Sequence, residues 1–258
     1  MTVWTPFPYA GAYKFTPTSV KKHWPRLHAG DAQPLPHDNE LLQAWALFHN
    51  GHFQKAAQAG LSLGVHGVTL ANKATCIYAN YLEPSERVKL QLLSEVAERA
   101  QAQAEQHPEL PNAWYWQAYA LGRYSQGISV AKGLALGLGT RVKTALEKTI
   151  ALQPKHADAH LALAAFHAEV IDKVGALIGG LTYGAKKEMG LSLYAQAMNL
   201  NPDAPMTLVE YANGLVMLEG SSRIDEATAL YERAANMVTL DATQRLEAEL
   251  AKAQLEDE

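Results

Sequence analysis

Three features of this 258-residue chain carry residue types that could do chemistry. The first is "HADAH", which sets His156 and His160 four residues apart. On a helix that spacing puts both imidazoles on one face, where they could share a metal ion. The Glu of H-E-x-x-H is missing and no third ligand is forced nearby, so packing is the competing reading. "HNGH" (His49, His52) straddles a turn and is a weaker version of the same idea. The second is Cys76 in "NKATCIYANY". A catalytic thiol needs an adjacent histidine and a positive setting, whereas a lone cysteine in an apolar helix is usually a small hydrophobe. The third is the glycine-rich "GLALGLGTRVK", which lacks G-x-x-x-x-G-K-[ST] and has no strand before it to support a dinucleotide fingerprint. No nucleophile, base and oxyanion donor occur together. The expectation is a non-enzymatic protein with no cofactor and no metal.

The elements that would position such residues follow from composition. Alanine is abundant while Val and Ile are sparse, which favours helix over strand. Net charge is −4, without the basic stripe of a nucleic-acid binder. One cysteine cannot form an internal disulfide, so a reducing compartment is the simplest reading. The N-terminus has no basic segment followed by an apolar one, and no run of 18 apolar residues occurs. A soluble, cytoplasmic protein without a transmembrane segment is expected.

Residues 1–37 stand apart. They hold six prolines, the aromatics Trp4, Phe7, Tyr9, Tyr13, Phe15 and Trp24, and a charge of +3 that leaves −7 on the remainder. The prolines exclude a long helix and the aromatics argue against a free tail. The expectation is an extended Pro/aromatic-rich arm lying on an acidic body, 38–258, in or along its groove; a partly ordered leader is the alternative.

From Asp38 the helical period persists, and it repeats. Pro108, Pro154 and Pro202 stand 46 and 48 residues apart, each followed ten residues later by Ala118, Ala164 and Ala212. Ahead of each proline an amphipathic helix places Val96, Ala100, Gln103; Val142, Leu146, Thr149; and Gly190, Tyr194, Ala197 in register. A copy without proline reads Ala227, Tyr231, Ala234. After each proline a second helix aligns Trp114, Gln117, Ala118, Leu121 with His160, Leu163, Ala164, His167 and with Leu208, Tyr211, Ala212, Leu215. Trp114 is expected to point into the core. Each proline therefore separates one helical hairpin from the next.

"GLSLYAQAMNLNP" (Gly190, Tyr194, Ala197, Pro202) and "ALFHNGHFQKAAQAG" (Gly51, Phe53, Ala56) resemble the tetratricopeptide repeat. The units exceed the standard 34 residues, and the surplus falls in two glycine-rich stretches, 125–143 and 172–188. Elongated repeats around "ALEKTIALQPKHADAHLALAAFHAEV" also resemble the regulator of microtubule dynamics family and the helical-repeat component of tripartite periplasmic transporters. The latter is exported as a lipoprotein, and no such signal is read here. The resemblance implies an all-α, right-handed superhelical solenoid of about five hairpins, near 38–63, 66–106, 111–152, 156–200 and 204–238. A capping helix follows at 241–258, starting at Asp241.

In such a repeat the first helix of each hairpin lines a concave face. By register that face holds Asn112, Tyr115, Tyr119, Arg123, Asp158, Leu161, Glu169, Met206, Val209 and Asn213. Tyr115, Tyr119 and Arg123 form an anchor for a peptide or protein segment. Members that grip a C-terminal carboxylate use Lys and Asn at set positions, of which only Asn213 is present here. A protein-interaction scaffold is the leading expectation. The alternative is a small-molecule or lipid carrier built on the apolar insertions.

Overall fold

A computed structural model describes residues 3–256. Residues 1–2 of the expected arm and 257–258 of the expected capping segment lie outside it. Among the described residues all regular structure is helical. The arm contributes α1 (Pro17–Leu27). Hairpins follow as α2 (Asn39–His49) with α3 (Phe53–Ser62), then α4 (Val68–Tyr81) with α5 (Glu86–Gln106). The next is α6 (Pro111–Gln126) with α8 (Leu138–Leu152), interrupted by the short α7 (Val130–Ala135). Then come α9 (Ala157–Val174) with α11 (Lys187–Leu200), interrupted by α10 (Ala176–Tyr183), and α12 (Pro205–Glu219) with α13 (Ile224–Ala235). Last is α14 (Ala242–Glu256). The two glycine-rich insertions are thus α7 and α10 with their connections.

The prolines stand where the register requires. Pro108, Pro154 and Pro202 lie between α5 and α6, α8 and α9, and α11 and α12. A proline lacks the N–H that would continue the helix, so each joint ends one hairpin. Two joints are closed alike: Trp114 Nε1 donates to the Pro108 carbonyl at 3.0 Å, and His160 Nε2 to that of Pro154 at 2.9 Å. Trp114 is accordingly half-buried at the joint and not in the core. All twelve residues of the helices ahead of the joints, from Val96 to Ala234, are buried. Ala118, Ala164 and Ala212 are buried too, and their small side chains let neighbouring helices close together.

The arm is not simply extended. Thr16 and Ser19 form a reciprocal cap, Pro17 takes the first helical position, and Val20 and Trp24 enter the core one turn apart. A proline at that position costs nothing, because its missing N–H would have had no acceptor within the helix. Before α1 the chain binds the α2–α3 turn and α4. Trp4 stacks on Tyr78 with ring centroids 4.1 Å apart. The ring of Phe7 stands edge-on to Phe53 and rests on Gly51. Gly51 has φ +84°, and any Cβ there would meet the Phe7 ring at 2.5 Å, so the turn needs glycine twice over. The Asn50 amide exchanges two hydrogen bonds with the Phe15 backbone, at 2.7 and 3.0 Å. Trp4, Thr5 and Phe7 also wall a cavity of about 240 Å³ with Asn50, His52 and Lys55.

Two compact units result. One comprises the arm to His28, Gln33–Leu152 and Asp241–Thr243; the other comprises Ala29–Ala32, Gln153–Leu240 and the chain from Gln244 on. In the first, Asp241 returns to α2: its carboxylate accepts from His49 Nδ1 at 2.7 Å, with His49 fully buried. In the second, Ala251 of α14 joins Leu208, Val209 and Ala212 of α12 and Ala227, Tyr231 and Ala234 of α13 in one apolar cluster. That packing makes α14 the cap.

Phe7→Ala should therefore cost about 3 kcal/mol or more, and Asp241→Ala about 1–3 kcal/mol by stranding the buried His49 N–H. Urea unfolding followed by tryptophan fluorescence measures both. An unchanged Phe7→Ala midpoint would mean that the arm adds nothing to the core.

Candidate functional site

The residues expected on the concave face divide by burial. Asn112, Tyr115, Leu161 and Val209 are buried. Tyr119, Arg123, Asp158, Glu169, Met206 and Asn213 are half-buried. In the first unit the face belongs to α6. Tyr115 packs edge-on against Trp116 at 4.9 Å, so its ring supports the helix from beneath and is no free anchor. One turn on, Tyr119 also contacts Trp116 at 5.3 Å, and the Arg123 guanidinium lies 5.4 Å from the Tyr119 ring centre. This is cation–π distance. Arg123 Nη1 donates to Gln126 at 3.3 Å.

A second cation, Arg99, acts with Arg123 on the buried Cys76. Arg99 of α5 donates from Nε to Asn72 Oδ1 of α4 at 2.6 Å, and Asn72 is fully buried. Burial lowers the Arg99 pKa. Cys76 lies one turn beyond Asn72. Burial pushes its thiol well up, and the charges of Arg99 and Arg123 oppose that shift without cancelling it. A neutral, inaccessible thiol is a poor nucleophile. The end of α6 therefore offers an aromatic face and a guanidinium, a pair suited to an acidic or aromatic side chain.

The first turn of the face is already used. Asn112 Nδ2 donates to Gln33 Oε1 at 2.7 Å, and Trp24 Nε1 donates to the Gln33 carbonyl at 2.7 Å. In the second unit Asp158 N–H donates to the Gly30 carbonyl at 3.0 Å, and Gly30 lies directly against the Asp158 carboxylate. The stretch after α1 thus occupies Asn112 and Asp158, while Trp4–Phe15 binds the α2–α4 side. Neither Gln33 nor Gly30 carries a sequence signal for this: a backbone carbonyl and an amide become specific only once the arm is folded.

The remaining second-unit residues serve the fold. Glu169 pairs with Lys173 at 3.1 Å. Asn213 Oδ1 accepts from the Tyr231 hydroxyl and so turns toward α13. Met206 and Val209 pack in the cluster that α14 completes. The capping helix covers the place where a further repeat would have left a face. The histidines are structural as well: His156 Nδ1 accepts from Ala159 N–H at 3.1 Å and caps α9, while His160 serves the Pro154 joint. Among the described residues no group of three potential ligands gathers around a metal-sized site.

No protein-family profile matches the sequence, and no curated protein matches it. Among solved structures, the chain is similar to TTC0263, a thermophilic TPR protein in Thermus thermophilus. The TM-score is 0.57 at 18% identity, covering 83% of this chain and 98% of that one. At that identity the likeness establishes the fold. This is an all-α protein with the tetratricopeptide-like helical-repeat fold. Among the described residues no helix is long and apolar enough to cross a membrane.

Cys76 should resist iodoacetamide in the native protein and label fully in denaturant. Mass spectrometry reads the difference, and rapid native labelling would mean an accessible thiolate.

Proposed function

We propose that this protein is a non-enzymatic, cytoplasmic adaptor that binds a peptide or protein segment on the α6 face. The carrying observation is the Tyr119–Arg123 pair, half-buried on a tetratricopeptide-like first helix with an aromatic floor of Tyr115 and Trp116. The guanidinium takes a carboxylate or an aromatic face from the partner, and the tyrosine ring adds apolar area at low entropic cost. Asn112 and Asp158 hold the stretch after α1, so they do not grip the ligand. A contact of this size corresponds to micromolar affinity, about −8 kcal/mol. The reducing compartment is supported by the single, buried cysteine.

The carrier reading rests on the insertions. Their helices turn apolar side chains outward to solvent, which favours contact with a surface over enclosure of a ligand.

Pull-downs comparing wild type with a Tyr119→Ala/Arg123→Ala double variant test the adaptor. The variant should lose its specific partners, because about 2 kcal/mol or more is expected from such an anchor. Equal recovery of every partner would reject this face.

A further inference from the structure

The cavity beneath the arm is lined by side chains that are committed elsewhere and leave it open. It lies wholly within the first unit, between Trp4–Ala10 and the stretch from Asn50 to Lys55. Trp4 is held by its stack on Tyr78, and its backbone N–H donates to Gln54 Oε1 at 3.2 Å. The Thr5 N–H donates to the Tyr78 hydroxyl at 3.3 Å. Phe7 rests on Gly51 and stands edge-on to Phe53. The space of about 240 Å³ is therefore preformed. An apolar cavity of roughly 150 Å³ admits a benzene ring, so this one has room for a ring and a few further atoms.

The lining selects the ligand. Trp4, Pro6, Phe7 and Phe53 supply apolar and aromatic walls, and no lining residue is acidic. The Asn50 amide is already taken by the Phe15 backbone. Lys55 and His52 are exposed, and neither side chain makes a hydrogen bond or an ion pair with the described residues. An ammonium and an imidazole beside an aromatic cleft suit one anionic group on an apolar body. A carboxylate carries the single charge that one ammonium balances, whereas a phosphate near neutral pH carries closer to two.

We propose that this cavity binds a small carboxylic acid with an aromatic or short aliphatic body, its carboxylate meeting Lys55 and His52. The site shares no residue with the α6 face, so it stands or falls separately from the adaptor reading.

Titration of the isotope-labelled full chain with phenylacetate, followed by NMR, tests this. Shifts should concentrate on the Trp4 indole and the Gly51 and Gln54 amides. They should saturate with a Kd of about 1 mM or below, the range open to so few atoms. Phenylacetamide keeps the shape without the charge and should bind about fivefold more weakly or worse. Lys55→Glu should weaken phenylacetate binding by a similar factor; Lys55 is exposed, so the change leaves the core intact. Ala10→Leu adds bulk at an exposed position of the arm wall and should abolish binding. Absence of saturable shifts at these residues up to about 10 mM overturns the proposal, as does equal affinity for the amide or wild-type binding by either folded variant. A peptide ending in phenylalanine that binds the cavity more tightly than phenylacetate would also overturn it, by making the ligand a chain terminus.

Discussion

A pair of antiparallel helices has two apolar sides and can bury only one of them within itself. The other must be covered by something else, and most of this structure answers that requirement. In the first unit α1 and the chain before it cover α2, α3 and α4 with Phe7, Val20 and Trp24. In the second unit α14 covers α12 and α13. Between such covers the repeat needs only small residues at the contacts, hence Ala118, Ala164 and Ala212, and prolines to end each pair.

The same requirement decides which residues of the expected face stay accessible. Tyr115, Leu161 and Val209 belong to the register of an exposed face, yet each is buried. Of the α6 positions in that register, Tyr119 and Arg123 stay half-buried. Behind the buried Cys76, Arg99 is held by a buried asparagine and not by a carboxylate.

Most of the fold was legible in the sequence. The spacing of Pro108, Pro154 and Pro202 located the joints, and the Val96-to-Ala234 register named residues that are all buried. The site was less legible. Periodicity says which side of a helix a residue occupies, but not what lies across from it. The His156–His160 pair matched a metal-binding spacing while serving a helix cap and a proline carbonyl. Asn213 matched a carboxylate-clamp position while bonding Tyr231. The six prolines of the arm argued against helix, but Pro17 sits where the helix has no use for its N–H.

The sequence by itself determined the all-α repeat, its hairpin boundaries and the alanines at its contacts, because helical period, proline geometry and side-chain size act over a few neighbouring residues. Only the tertiary structure decided that Asp241 pairs with His49, that Gln33 and Gly30 occupy Asn112 and Asp158, and that α10 turns its leucines outward. Those outcomes depend on which distant surfaces meet. His49 and Asp241 lie 192 residues apart, and nothing local to either residue names the other.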